Sequence, residues 1–194
     1  MGGDALLVVD VQNDFCSGGT LAVPEGDRVV PVLNQYIQKF KATDRPIFAS
    51  RDWHPPVTKH FKAYGGLWPP HCVQETKGAD FHPALSLEGV EVVSKGMDPE
   101  KDSYSVFQAF TPDGTDFLAL LKKREIQRLF VGGLATDYCV KCSVLDAVQE
   151  GFETFVLKDA IRGVEVHPGD SEKALAEMTQ AGAKPIRLHE LTLR

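Results

Sequence analysis

Apolar residues in this chain come in short runs separated by segments of helical period. Ala5-Leu-Leu-Val-Val-Asp10 is an unbroken apolar run ending in an acid, as in a strand buried on both faces. Pro46 to Arg51, Val90 to Ser94, the run opening at Leu129, Thr154 to Leu157 and Lys184 to Leu188 read as five more strands. Between them Val30, Leu33, Ile37 and Phe40 share one helical face, with Asp27 as the expected N-cap. Phe117, Leu120 and Leu121 mark a helix behind Asp113, and Val140, Val144, Leu145 and Val148 another behind Thr136 and Asp137. Ser171 to Ala181 is the last. Strands alternating with helices predict an α/β fold, three layers deep (α/β/α) on a mostly parallel six-stranded sheet. No linker or repeat divides it, so one domain is expected over 1–194. The connection after the third strand shows no clear helix. From Asp52 to about Pro83 the chain turns rich in Pro, Gly, His and aromatics, and a loop that long is usually functional.

In open parallel sheets, ligands bind beyond the carboxyl ends of the strands. Asp10 ends the first strand, Asp52 follows the second, Lys95 the third and Cys139 the fourth. Cys139 comes shortly after two glycines, where a strand gives way to a helix. Free N–H groups and the helix dipole there are expected to lower the thiol pKa and to bind an oxyanion. A thiolate attacks a carbonyl, an ammonium stabilises it, and a carboxylate carries the proton to the leaving group. The expected chemistry is acyl transfer by a cysteine without the usual histidine. Asp52 and His54, two apart on an extended segment, point the same way, so one metal ion could take both. With His60 and His71 they form a donor set suited to Zn, Fe or Mn rather than Mg or Ca. His82, His167 and His189 show no such grouping. Cys139 and Cys142 also match C-x-x-C, which leaves a thiol redox protein as a rival from another class. Cys16 and Cys72 read as free thiols near the loops.

Composition narrows the partners. Hydrophobic content of 43% and charged content of 25% suit a globular protein, and the net charge of −6 with no Lys/Arg-rich run argues against nucleic acid or an anionic membrane. No apolar stretch approaches the ~20 residues of a membrane span. Four cysteines do not make a disulfide scaffold, so a reducing cytoplasm (or a nucleus) is the expected compartment. Met1-Gly2 opens as a myristoylation signal does, but Leu6 stands where that signal needs Ser or Thr.

Several blocks together resemble the nicotinamidases of the isochorismatase-like cysteine hydrolase superfamily. They are Asp10-Val-Gln-Asn-Asp-Phe15, Gly18-Gly-Thr-Leu-Ala-Val23, Arg51-Asp-Trp-His-Pro55, Trp68-Pro-Pro-His-Cys-Val73, Lys95-Gly96, Tyr104-Ser-Val-Phe107 and Gly132-Gly-Leu-Ala-Thr-Asp-Tyr-Cys-Val140. The resemblance runs almost end to end. It implies a catalytic triad of Asp10, Lys95 and Cys139, and a divalent transition metal, zinc first, then iron or manganese, on Asp52, His54 and His71. His60 matches a ligand that some members use. A cis peptide between Leu134 and Ala135 would aim the Ala135 N–H, with that of Cys139, into an oxyanion hole. Phe15, Trp68 and Tyr104, with Leu134, would wall the substrate. The implied reaction is hydrolysis of nicotinamide to nicotinic acid and ammonia through a thioester, serving NAD salvage, with the pyridine nitrogen on the metal. The rival substrates within the superfamily are N-carbamoyl amides and isochorismate. A homo-oligomer is expected from family habit alone.

Overall fold

A computed structural model describes residues 3–194, so the Met1-Gly2 opening lies outside the described residues. Six parallel strands form one sheet: β1 (Gly3–Val9), β2 (Ile47–Asp52), β3 (Glu91–Lys95), β4 (Ile126–Leu134), β5 (Glu153–Arg162) and β6 (Lys184–Ile186). Their order is β3-β2-β1-β4-β5-β6. Strand side chains alternate between two faces. Ala5, Leu7 and Val9 enter one core with residues of α2 (Phe117–Lys123), α3 (Lys141–Gln149) and α4 (Asp170–Ala181). Leu6 and Val8 enter the other, under α1 (Val29–Ala42), whose Val30, Leu33, Ile37 and Phe40 are all buried. The sheet is thus covered on both sides, as the unbroken apolar run of β1 requires.

The chain steps outward from β1 to β3, then returns to lay β4 beside β1. The point where strand order reverses, between β1 and β4, is where open α/β sheets leave a crevice. Gly133 closes that seam. It pairs with Val9 at a φ of 126°, and a Cβ there would stand 2.1 Å from the Val9 carbonyl oxygen. Only glycine lets the two strand ends approach so closely.

Three expected helix caps are made differently. Asp27 does not cap α1, which follows directly from a 3-10 turn at Gly26–Arg28; its carboxylate takes the Ser17 N–H at 3.1 Å. Asp116, not Asp113, caps α2 by accepting from the Ala119 N–H at 2.9 Å. Thr136 and Asp137 do not cap α3. They open a wide five-residue helical turn, Thr136–Val140, and Asp137 instead holds the Val164 and Glu165 N–H groups, each at 2.9 Å. Strand β5 runs past the predicted Leu157 because its register against β4 jumps after Val156. The polar Asp159 in that irregular stretch accepts from the Tyr36 hydroxyl and the Leu188 N–H.

At the amino ends of β1 and β4, far from the crevice, Arg128 donates two hydrogen bonds to the buried Asp4, at 2.6 and 2.8 Å. Burial alone would raise the Asp4 carboxyl, but the Arg128 contacts and the Arg194 N–H hold it below the usual range. Removing one partner of a buried pair strands the other charge, at about 3–5 kcal/mol. Asp4→Ala should therefore lower the melting midpoint by roughly 10 °C, with activity per folded molecule unchanged. A drop under 2 °C in calorimetry would show the pair to be dispensable. A carboxyl held low stabilises above its unfolded pKa, so the parent loses this contribution as pH falls through the folded value.

Candidate active site

Four polar side chains meet at the strand ends around the β1/β4 crevice. Asp10 follows β1 directly in a left-handed conformation, with a φ of 48°, which Asp tolerates better than most residues. Asp52 ends β2, Lys95 ends β3, and Cys139 lies in the wide turn after β4. Asp10 and Lys95 are 0% exposed, which forces both to be partnered. The Lys95 ammonium stands 2.9 Å from Asp10 Oδ2 and 3.5 Å from Cys139 Sγ, contacts Asp52 Oδ1, and donates to the Ser103 carbonyl at 3.3 Å. Ser50 donates to Asp10 Oδ1 at 2.6 Å. The Leu134–Ala135 peptide is cis. Ala135 accepts the Tyr138 and Val140 N–H groups, winding the backbone of the turn around Cys139.

The charges in this cluster sort themselves. Burial would lower Lys95, but the carboxylates of Asp10 and Asp52 outweigh it and keep the ammonium charged. Burial also works against Asp52, yet Lys95 and the His54 contact hold it well below the usual carboxylate range. For Asp10 burial prevails over Lys95, with Asp52 adding repulsion, so its carboxyl is raised. The Cys139 thiol departs from the expectation of a lowered pKa. Burial pushes it well above its ordinary value; Lys95 pulls it back down, and Asp10 and Asp52 add to the rise. Cys139 is thus a neutral thiol at pH 7, close to the Asp10 carboxyl.

Across the pocket, the donor atoms of His54, His60 and His71 lie within 4.8 Å of one another, all three rings buried. Burial lowers His60 and brings His71 down to about 4, so both are neutral at pH 7, the form that binds metals. Each Nδ1 faces an oxygen: Gly96 O at 3.0 Å for His54, Pro69 O at 2.8 Å for His71 and Asp102 Oδ1 at 2.5 Å for His60. That fixes the proton on Nδ1 and leaves Nε2 as the free donor. His54 Nε2 is buried without a hydrogen-bond partner, the sign of a missing electrophile rather than of ordinary packing. Asp52 Oδ2 lies 3.7 Å from it. The residues present fit a divalent metal.

Gly96 permits this arrangement. Its φ is 72°, and a Cβ would meet the His54 ring at 2.6 Å. A second group of donors, Cys16, Asp27 and His82, is equally compact but differently wired. His82 Nδ1 accepts the Ala84 N–H at 3.2 Å, so its proton sits on Nε2, toward Asp27 at 3.4 Å. That is a satisfied hydrogen-bonded pair. Burial and Asp27 push the Cys16 thiol up to about 12.

Between metal donors and thiol lies a pocket lined by Phe15, Trp68, Tyr104, Ala135, Tyr138 and Cys139 among others, with a free volume of 30 Å³. The Trp68 indole donates to the Tyr104 hydroxyl at 2.9 Å and meets the Tyr138 ring edge-to-face at 5.0 Å. Leu134 does not line it; the side chain is wholly buried in the core facing α1, so its part is through the backbone. Nor does Cys142 line it. A larger groove of 680 Å³ beside Ile126 and Phe152 holds no cysteine or histidine. Five contributors escaped the sequence reading: Gln12, Ser50 and Asp102, with Leu21 and Val164 on the pocket wall. Gln12 grips Asp52 from both sides, donating to its carbonyl and accepting its N–H, each at 2.8 Å. A small polar residue directly after the apolar start of β2 was the available signal for Ser50; nothing in the spacing marks the others.

Known proteins share this architecture. The isochorismatase domain family matches residues 4–190. A nicotinamidase of Escherichia coli is 44% identical over 199 residues, covering 92% of each chain. The zinc complex of a Pyrococcus horikoshii pyrazinamidase superposes with a TM-score of 0.87 at 44% identity, over 95% of this chain and 99% of that one. The L. infantum PnC1 structure in complex with nicotinate gives 0.88 at 32% identity, over 100% and 96%.

Proposed function

The chain belongs to the isochorismatase family and, within it, to the nicotinamidases, and from that premise we propose that this amidohydrolase converts nicotinamide to nicotinate and ammonia, with Cys139 as the nucleophile. The observation that carries the reading is Lys95, seated between Asp10 Oδ2 and Cys139 Sγ at 2.9 and 3.5 Å beneath an aromatic pocket. Phe15, Trp68 and Tyr104 hold a planar ring; the small free volume means the walls must part to admit it. As Sγ bonds to the carboxamide carbon, Asp10 takes the thiol proton. The N–H groups of Ala135 and Cys139 receive the oxyanion. The C–N bond breaks as Asp10 hands its proton to nitrogen, ammonia leaves, and a thioester remains. Water then attacks the thioester, Asp10 takes its proton and returns it to Sγ, and nicotinate departs for NAD salvage.

His54, His60 and His71, with Asp52 beside them, would hold a divalent ion, zinc being favoured by the imidazole and carboxylate donors and by the Pyrococcus complex. Such an ion would supply a Lewis acid that orients the pyridine nitrogen and withdraws electrons from the ring.

The test is ammonia release from nicotinamide by purified protein, with and without chelation. The zinc-loaded parent should turn over. The chelated sample should fall by about 100-fold and recover on adding zinc. No turnover by the loaded parent would overturn the substrate assignment and direct the assay to N-carbamoyl amides. Unchanged turnover after verified metal removal would overturn the metal's role alone.

A further inference from the structure

The three imidazoles of the donor cluster are held from behind in two different ways. His54 and His71 hydrogen-bond through Nδ1 to backbone carbonyls, of Gly96 and Pro69. His60 alone uses a side chain: its Nδ1 faces Asp102 Oδ1 at 2.5 Å. The imidazole is 4% exposed while the carboxylate is 58% exposed. We propose that Asp102 is a positioning residue that sets the metal affinity of this site through His60; the proposal rests on the metal reading above.

Three features carry it. A carboxylate on Nδ1 fixes the same tautomer as a carbonyl does, but also polarises the ring, making Nε2 the stronger donor. It further places a negative charge behind a cation whose other imidazole donors are backed by neutral groups. Finally, the two segments are laced together, so the Asp102 contact is part of a built arrangement. Pro99 O accepts the Lys59 N–H at 2.9 Å and the Thr58 hydroxyl at 3.2 Å, and Lys59 pairs with Glu100. One residue beyond Asp102, the Ser103 carbonyl accepts from Lys95. The 99–103 segment therefore supports His60 with one residue and the catalytic ammonium with the next. Because Asp102 does not itself line the pocket or touch the thiol, and reaches the site only through His60, its loss should appear in metal binding before it appears in turnover.

The experiment is zinc titration of the stripped protein against a chromophoric chelator, for the parent, D102A, D102N, H60A, H71A and the H60A/D102A double variant. D102A should bind zinc about 10–100-fold more weakly than the parent. D102N, which keeps an acceptor but loses the charge, should fall between them. In the H60A background D102A should change nothing further, since Asp102 acts through His60. At saturating zinc, the kcat of D102A should stay within about threefold of the parent. A dissociation constant for D102A within twofold of the parent overturns the proposal, as does an additive loss in the double variant. A parent that binds zinc no better than H71A sinks the metal reading itself, and the two failures are told apart by that control.

Discussion

Alanine at position 139 is expected to lower nicotinamide turnover by ~10⁴-fold or more, with the metal site and fold left in place. The size of the effect follows from what else lines the pocket. Tyr104 and Tyr138 are the other hydroxyl-bearing lining residues, and burial raises both above the ordinary phenol value, so neither offers an oxyanion at neutral pH. Asp52 is committed to Lys95. Water alone could attack the amide, but it lacks the position that Lys95 and the turn give to Sγ. The substitution removes one buried sulfur from a site already 7% exposed and leaves every histidine contact untouched. Nicotinamide should therefore still bind, and a calorimetric titration separates lost chemistry from lost binding. A serine variant should fall almost as far, because its hydroxyl is harder to deprotonate beside the same carboxylate. Turnover of the alanine variant within a hundredfold of the parent would mean that Cys139 is not the attacking group.

Much of the fold was legible because β1 and the stretches inside β4 and β5 are short apolar runs that need two covered faces. The parallel order, and the meeting of Asp10, Asp52, Lys95 and Cys139 at strand ends, follow from that pattern alone. What escaped the reading depends on exchange of partners in space. Asp27, Asp113, Thr136 and Asp137 each stand where a cap belongs. In the folded chain their oxygens serve more distant N–H groups, or the helix begins one turn later. The thiol is the instructive case. Its place at a strand-to-helix turn argues for a lowered pKa, and sequence shows no burial. Once the crevice closes over Sγ, with two carboxylates nearby and one ammonium among them, the sign reverses. Asp102 was invisible for another reason: it lies 42 residues from His60, in a segment without helical or strand period.

Under the proposed mechanism that reversal leaves the thiol proton to Asp10, and Asp10→Asn should lower kcat by ~10²–10⁴-fold. A thiolate already formed at rest would need little help, but a thiol raised by burial must lose its proton as it attacks. Asn keeps the shape and can still accept from Ser50 through its oxygen, yet its amide then faces the Lys95 ammonium and takes up no proton. Lys95 retains Asp52, so the cluster keeps its principal ion pair and the fold should survive. The pH profile gives the sharper test. In the parent, burial and the Asp52 charge raise the Asp10 carboxyl against the pull of Lys95. As pH falls through that raised value Asp10 becomes protonated and can no longer take the thiol proton. The acid limb of kcat/KM should therefore lie above the ordinary carboxylate range. In the variant that limb should vanish, and the residual rate should climb with pH as Cys139 ionises without assistance. A variant within tenfold of the parent, with the acid limb unmoved, would assign the proton transfer to another group, and the shuttle through Asp10 would have to be abandoned.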